Sequence, residues 1–558
     1  MQQGTNLEKL REWMRTEDVH ALYVPREDMF GGEYVAAHDE RLAWISGFTG
    51  SAGFAIITND AAHLFVDGRY TLQAKAQASG FQIHSLTQVA IDEVCHSLAS
   101  LHYDPWLMSV QQLQSWQDRI NLIALKANPI ELLWTDRPKP TYKPAYDYSM
   151  TYAGKTRQEK RKIIDNAVWF LSNAESVCWL LNVRGGDLPY VPVLHCMALV
   201  TKEKMTLFCE PSKISTELKN LLDVKIVPFA QMADELKAIN AEIRADKRTT
   251  PIALQNEGIL FHWQTDPCEL PKAKKNPIEQ QGMRNCHVRD AAAIMRFWIW
   301  LEAQKNLTEV EAQDYLETCR QKIDYHQGAS FATISGFGPH GAIVHYRATL
   351  ETNIAITQGM YLLDSGGQYL DGTTDITRTF SIGTPTQEQC VHYTLVLKGH
   401  IALAAACFPV GTTGAQLDTL ARQYLWSNGL DYAHGTGHGV GSYLNVHEGP
   451  QGISKVRNAI LEPGMVVSNE PGLYIEEQYG IRIENLQIVK QSFHQGFLCF
   501  ESLTLVPYDS SLIEKSLLTQ QELNWLKDYY QKIWENVSPL LNNAEKDWLK
   551  SKLHPIFS

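Results

Sequence analysis

Between Phe331 and Glu484, four carboxylates stand where a folded chain least tolerates them, at the ends or on the faces of apolar, strand-like runs. MYLLD closes on Asp364, DITRTF opens with Asp375, MVVSNE closes on Glu470, and Glu484 lies within GIRIENLQIVK. A carboxylate buried on such a strand must be paired, hydrogen-bonded or metal-bound, because otherwise it loses its hydration without replacement. Asp371-Gly372 is a turn signal, so its flanking runs read as a hairpin that sets Asp364 and Asp375, eleven residues apart, close together. Two facing carboxylates repel unless a cation or a proton intervenes. Singly these signals are weak: surface hairpins often carry two aspartates, and Glu484 shares a strand face with Arg482, an ordinary salt-bridge partner. Pro471 follows Glu470 and should end its strand, since proline donates no ladder hydrogen bond.

The same region holds DYAHGTGHGVGSYLNVHEGP, with His434, His438 and His447 among five glycines. Glycine allows close backbone approach and positive φ, so this stretch reads as a loop around a site rather than a regular helix. A flexible glycine loop with incidental histidines is the bland alternative. Together, four carboxylates and one imidazole form an oxygen-rich set that suits Mn2+, with Zn2+ or Co2+ as alternatives. Four carboxylates nearly neutralise two divalent ions, which leaves a bridging water free to ionise and attack a carbonyl. Gly336, Gly338 and Gly341 also match the dinucleotide spacing G-x-G-x-x-G. That fingerprint needs a helix after it; here Pro339 interrupts the loop and a strand-like AIVHY follows, so nucleotide binding is not expected.

At 558 residues the chain is too long for one core, and an ordinary hydrophobic fraction of 44% excludes a disordered protein. Its formal net charge of −12 gives no general attraction to nucleic acid or anionic lipid. The small basic cluster Lys272, Lys274 and Lys275 reads as a solvated linker. Ten scattered cysteines without a C-x-x-C pair exclude thiolate zinc sites and fit a reducing compartment. The N-terminal LEKLREWMRTED places Leu7, Leu10, Trp13 and Met14 on one helical face and lacks a signal peptide's apolar core. No apolar run is long enough to span a bilayer. A cytoplasmic protein without membrane partners is expected.

Three zones and a tail follow from composition. Residues 1–140 mix helical patterns with strand-like runs such as GFAII and HLFV, and RPKPTYKPAYD (137–147) reads as a linker. Residues 141–280 loosely repeat the first zone. LAWISGF (42–48) and VCWLLNV (177–183) each carry a tryptophan in an apolar run, and a strand-like run follows each, AIIT at 55–58 and CMALVT at 196–201. A second proline-containing linker runs from Pro267 to Pro277. Residues 281–505 open with the helix former RDAAAIMRFWIWLEAQKN, and residues 506–558 form a helical extension, either core packing or a subunit contact.

The order Asp, Asp, His in a glycine loop, Glu before Pro-Gly, and Glu in G-I-R-I-E resembles the pita-bread metallopeptidases. The blocks DGTTDITRTF, HGTGHGVGSYLNVHEGP, SNEPGLY, GFTGSAGFAIIT and DGRYTLQA resemble the aminopeptidase P (Xaa-Pro aminopeptidase) subgroup, in its long three-domain cytosolic form. The resemblance implies an α/β (α+β) chain with two related creatinase-like N-terminal domains followed by a pita-bread catalytic domain. It implies that Asp364 binds one metal, that Asp375 and Glu484 bridge both, and that His438 and Glu470 complete the other. It further implies that His345 and His447 contact substrate or the developing oxyanion. Glu470 would shuttle a proton, Arg482 would orient carboxylates, and Tyr474 would line the pocket. The expected reaction is hydrolysis of the first peptide bond in peptides with proline at the second position. A Xaa-Pro dipeptidase, or a non-catalytic peptide-binding module on the same fold, are the alternatives. A homodimer through the C-terminal region is also implied.

Overall fold

The computed structural model describes residues 5–554, apart from the side chain of Leu72. The first four residues of the expected first domain and the last four of the expected extension lie outside the described residues. The chain divides into two compact units: Met1–Ser149 with Lys155–Cys268, and Met150–Gly154 with Glu269–Ser558.

The first unit holds two sheets of one design. Helix α1 (Asn6–Thr16) opens it, started by a capping box between Thr5 and Glu8, with Leu10 and Met14 fully buried as the sequence period requires. Strands β1 (Ala21–Pro25), β2 (Gly53–Thr58), β3 (Ala62–Val66), β4 (Gln82–Ser85), β5 (Leu101–Tyr103) and β6 (Leu122–Ala124) lie in the order β4-β3-β2-β1-β5-β6. Strands β7 (Val168–Leu171), β8 (Met197–Val200), β9 (Met205–Phe208), β10 (Lys225–Val227), β11 (Ile243–Ala245) and β12 (Phe261–Trp263) repeat that order as β10-β9-β8-β7-β11-β12. The directions also correspond. In each sheet the first three strands in sequence pair antiparallel, and the remaining three pairings are parallel. The loose repeat seen in sequence is therefore a repeat of topology.

Its two tryptophan-bearing apolar runs are helices: α2 (Arg41–Ser46) and α3 (Ala174–Leu181). Each ends on a left-handed residue, Gly47 at φ 78° and Asn182 at φ 47°. These are the residue types that tolerate such a stop. An apolar run of six to eight residues does not reveal its own period, so the sequence leaves such a run unassigned.

The second unit corrects the linker expected at Pro267–Pro277. Helix α4 (Glu269–Ala273) lies inside it, and helix α5 (Pro277–Ala303) begins on its last proline, twelve residues before the alanine-rich stretch. Asn276 caps α5 and forms a capping box with Glu279, and Pro277 occupies the first turn, where its missing N–H is harmless. Lys272 and Lys275 are not solvated. They are buried and ion-paired with the buried Glu448, Lys272 at 2.7 Å, while Lys274 pairs with Glu462.

Helix α6 (Glu309–Arg320) follows. Strands β13 (Ile334–Phe337), β14 (Gly359–Ser365) and β15 (Ile376–Ile382) then form an antiparallel sheet with β14 at its centre. A six-stranded antiparallel sheet is built from β16 (Cys407–Pro409), β17 (Gly437–Gly439), β18 (Glu448–Ile453), β19 (Val466–Asn469), β22 (Asn485–Gln491) and β23 (Phe497–Ser502), in the order β16-β23-β22-β19-β17-β18. Strands β20 (Gly472–Ile475) and β21 (Tyr479–Arg482) make a separate hairpin. Helix α7 (Gln387–Ala404), helix α8 (Gly414–Trp426) and α9 (Gln520–Val537) cover these sheets. One apolar core joins Trp298, Phe380, Tyr361 and Tyr393 to Leu526, Tyr529 and Ile533 of α9, so the C-terminal extension packs on the catalytic-zone core.

Candidate metal centre

Strand ends deliver the acidic residues. Asp364, near the end of β14, stands opposite Thr377 of β15, and Asp375 immediately precedes β15. The expected hairpin is present, although Gly367–Tyr369 and Gly372–Thr373 fold as strands of a smaller sheet between the two arms. Strand β19 stops at Asn469, before Glu470-Pro471. The run GIRIENLQIVK is not one strand. It breaks between β21 and β22, and Glu484 sits at the break with its N–H donated to the Thr377 carbonyl at 3.1 Å. His438 lies in the short strand β17, not in a helix.

These side chains converge. Ligand atoms of Asp364, Asp375 and Glu484 lie within 4.8 Å of one another, as do those of His438, Glu470 and Glu484, and those of Asp375, His438 and His447. The His438 Nε2 stands 3.4 Å from Asp375 Oδ2 and 3.5 Å from Glu470 Oε1. Glu484 and Asp375 thus each belong to two of the three groups. Tyr474 and Arg482 border the cluster, and the His447 ring meets His438 edge-on at 4.4 Å between centroids.

Hydrogen bonds from surrounding residues fix His438, Glu470, Glu484 and Asp364. His438 Nδ1 faces the Gly439 carbonyl at 2.9 Å, which leaves Nε2 free as a donor atom. Ser468 Oγ accepts from the His438 N–H at 2.9 Å and donates to Glu470 Oε1 at 3.0 Å. Thr377 Oγ1 donates to Glu484 Oε2 at 2.8 Å. Arg482 donates to Asp364 Oδ2 at 2.6 Å, to the Tyr474 hydroxyl at 2.6 Å and to Thr377 Oγ1 at 3.2 Å.

The opposite oxygens, Asp364 Oδ1, Asp375 Oδ1 and Glu484 Oε1, are buried without a protein partner. Buried carboxylate oxygens with no donor are costly, and a cation held by these three residues would relieve that cost. The charge state agrees. Burial raises the pKa of Asp364 and Glu470, and that of Glu484 well above the carboxylate range, with neighbouring carboxylates adding to the effect. Burial lowers the proton affinity of His438, but Asp375 and Glu470 outweigh it and push its pKa to about 9. The donor set, oxygen-rich with one imidazole and a shared pair of carboxylates, fits two adjacent hard or borderline cations.

His345 lies in a turn, not in the strand expected for AIVHY, beside Val344, whose carbonyl accepts from Arg482 at 3.4 Å. The preceding glycines serve packing. A Cβ on Gly480 would come within 1.7 Å of the Gly341 carbonyl oxygen, so β21 and this turn touch backbone to backbone. Two participants carried no assigned role in the sequence reading. His434 Nε2 lies 2.8 Å from the Tyr474 hydroxyl, extending the chain from Asp364 through Arg482 and Tyr474. Glu309, fully buried, accepts from the Phe337 N–H (2.7 Å), His340 Nδ1 (2.9 Å) and the Tyr346 hydroxyl (2.9 Å), and so anchors the turn that carries His345. His434 had a sequence signal in the glycine loop; Glu309 had none, because TEVE reads as an ordinary helix start.

Residues 281–491 match the model of metallopeptidase family M24, and residues 496–556 match the C-terminal region of that peptidase. Residues 6–132 and 136–279 each match the creatinase/prolidase N-terminal domain. A probable Xaa-Pro aminopeptidase P of Coprinopsis cinerea is 39% identical, covering 99% of this chain and 98% of its own length. Aminopeptidase P1 of Lotus japonicus is 36% identical over 99% of both chains. The crystal structure of X-prolyl aminopeptidase from Caenorhabditis elegans, described as a cytosolic enzyme with a di-nuclear active site, superposes with a TM-score of 0.93. It shares 34% identity and covers 98% of this chain and 99% of that one. With the acidic cluster in the part of the chain that matches the peptidase model, and relatives aligned from end to end, this chain belongs to metallopeptidase family M24.

Proposed function

We propose that this chain is a Xaa-Pro aminopeptidase, which hydrolyses the first peptide bond of peptides whose second residue is proline. The observation that carries the reading is the convergence of Asp364, Asp375, His438, Glu470 and Glu484, with three buried carboxylate oxygens lacking any protein donor. Full-length similarity to proteins named Xaa-Pro aminopeptidase supports the substrate class. When bound, two divalent cations would supply Lewis acidity and lower the pKa of a water for attack on the scissile carbonyl. We assign them as Mn2+, on the hardness of the donor set.

The chain's own residues do the rest. Asp364 would hold one cation, Asp375 and Glu484 would serve both, and His438 and Glu470 would hold the other. Arg482 fixes Asp364 and Tyr474 in place, and Thr377 fixes Glu484. Glu470, held by Ser468 through one oxygen, passes a proton from the attacking water to the leaving proline nitrogen. His345 and His447 donate to the substrate carbonyl as charge develops on it, and Tyr474 lines the pocket. In the four-part division 1–140, 141–280, 281–505 and 506–558, the repeated sheets support the first two parts, while the last two share one apolar core. A homodimer in the cytoplasm, without nucleic-acid or membrane partners, completes the reading. The net charge supports it, and no helix of the described residues is long and apolar enough to cross a membrane.

Cleavage of a Xaa-Pro-Yaa tripeptide, set beside a Xaa-Pro dipeptide, tests the reading. Release of Xaa from the tripeptide is expected; turnover of the dipeptide alone would make the chain a dipeptidase, and turnover of neither would make it a binding module.

A further inference from the structure

Strand β16 is the edge of the six-stranded sheet and pairs with β23 in the register Cys407↔Cys499, Phe408↔Leu498, Pro409↔Phe497. Continuing that register, the Val410 N–H donates to the Gly496 carbonyl at 2.9 Å. In an antiparallel pair, hydrogen-bonded and non-hydrogen-bonded positions alternate. Val410 and Gly496 are a hydrogen-bonded pair, so Pro409 and Phe497 are not, which suits a residue with no N–H. Two further steps make Cys407 and Cys499 a non-hydrogen-bonded pair.

The other edge of β23 gives the same result independently. The Ser492 N–H donates to the Phe497 carbonyl at 2.9 Å, and Lys490 stands opposite Cys499, two residues along in the β22–β23 register. The backbone groups of Cys499 therefore face Lys490 and turn away from Cys407. Non-hydrogen-bonded pairs are the narrow ones, with Cα atoms about 4.5 Å apart and side chains on one face, which falls inside the Cα separations that disulfides span.

Access is the second condition. Cys407 is exposed and Cys499 half-buried, whereas seven of the ten cysteines are buried. Cys178 and Cys196 make the contrast: their thiols also adjoin, but both are at most 1% exposed. Only a deprotonated, reachable thiol attacks an oxidant.

We propose that Cys407 and Cys499 form an oxidation site for hydroperoxides, closing a reversible cross-strand disulfide. The Cys407 sulfur attacks the terminal peroxide oxygen. The O–O bond breaks, the alcohol or water leaves with the second oxygen, and Cys407 becomes a sulfenic acid. The Cys499 thiol then attacks the Cys407 sulfur, its proton leaves with the hydroxyl as water, and the S–S bond forms. Two thiols lose two electrons and one hydroperoxide gains them. Opposed Cβ atoms on paired strands lie about 4.5–5.5 Å apart, wider than the mean near 3.8 Å in disulfides, so closure pinches the strands. A strained bond of this kind is readily reduced, which makes the modification reversible.

The test is treatment of the full-length, metal-loaded protein with hydrogen peroxide, then alkylation of remaining thiols in denaturant and peptide mapping without reduction. The expected result is loss of two of the ten alkylatable thiols, one cross-link joining the Cys407 and Cys499 peptides, and its reversal by dithiothreitol. In Cys499→Ser, a sulfenic acid trapped by dimedone on Cys407 should replace the cross-link; in Cys407→Ser no cross-link should form. A Cys178–Cys196 bond, a Cys407 bond between two chains, or ten thiols still reactive would each overturn the proposal.

Discussion

Replacing both Lys272 and Lys275 by methionine would leave Glu448 as a buried carboxylate without its two cationic partners. The side chains of Lys272, Lys275 and Glu448 are 6%, 1% and 1% exposed, so water does not screen the pairs appreciably. Methionine keeps most of the apolar stem, which confines the change to charge. Lys275→Met alone removes the hydrogen bonds to Glu448 and to the Lys272 carbonyl while Lys272 stays on Glu448 at 2.7 Å; the bond to Glu448 alone is worth about 1.5–3 kcal/mol. The double variant strands the carboxylate and should cost about 3–5 kcal/mol at neutral pH.

The two proteins should also respond to pH with opposite signs. In the native chain burial pushes the Glu448 pKa up, but Lys272 and Lys275 outweigh it and hold it below 4.5. That contribution is present above the unfolded carboxyl value and fades as pH falls through the lower folded one. Without the lysines only the burial effect remains, and the folded pKa rises above the unfolded value. The unfolded chain then ionises first as pH rises, and stability is lost at about 1.4 kcal/mol per unit of upward shift. Urea denaturation followed by tryptophan fluorescence at about pH 5 and about pH 7.5 measures this. The double variant should recover stability on acidification relative to the native chain. An equal deficit at both pH values, or a deficit under about 1 kcal/mol, would refute the assignment of Glu448 as a lysine-neutralised buried anion.

Asp375→Asn should leave the chain folded but strip it of metal and of turnover, read by elemental analysis beside circular dichroism; retained metal would remove Asp375 from the ligand set. Thr377→Val keeps the side-chain shape but deletes the donor to Glu484 and the acceptor for Arg482 Nε. Metal affinity should fall about 10- to 100-fold in competition titrations, and the metal-free chain should lose about 1–3 kcal/mol in urea, because Glu484 and Arg482 each lose a buried partner. Glu309→Gln would turn an amide N–H2 towards donors that now meet carboxylate oxygens. It should destabilise the chain by about 1–3 kcal/mol in urea and lower kcat/KM through the displaced His345 turn while metal content holds.

The legible part of the site consists of residues whose local sequence conflicts with burial. Asp364, Glu470 and Glu484 close or interrupt apolar runs, and a carboxylate in such a place needs a partner wherever the chain goes. His438 was marked by the glycines around it, which β17 uses to lie against its neighbours: a Cβ on Gly437 would meet the Ser468 carbonyl oxygen at 2.0 Å. Lys272 and Lys275 were misread for the converse reason. A lysine-rich, proline-containing stretch has the composition of a solvated linker, and only a distant Glu448, more than 170 residues on, makes burial affordable. Glu309 was silent because its partners Phe337, His340 and Tyr346 lie 28 to 37 residues along the chain, beyond the reach of any local pattern.

The amino-acid order alone determined the periodic helices, the strand ends, the turn at Asp371-Gly372 and the identity of the groups able to hold cations, because propensity, capping and hydration cost act within a few residues. Tertiary structure alone decided which carboxylate oxygens are left without a donor, that GIRIENLQIVK breaks at Glu484, and that two short tryptophan segments are helices. Those outcomes depend on hydrogen-bond partners and packing surfaces supplied by residues far along the chain, and no local pattern encodes a contact that forms only when the sheets assemble.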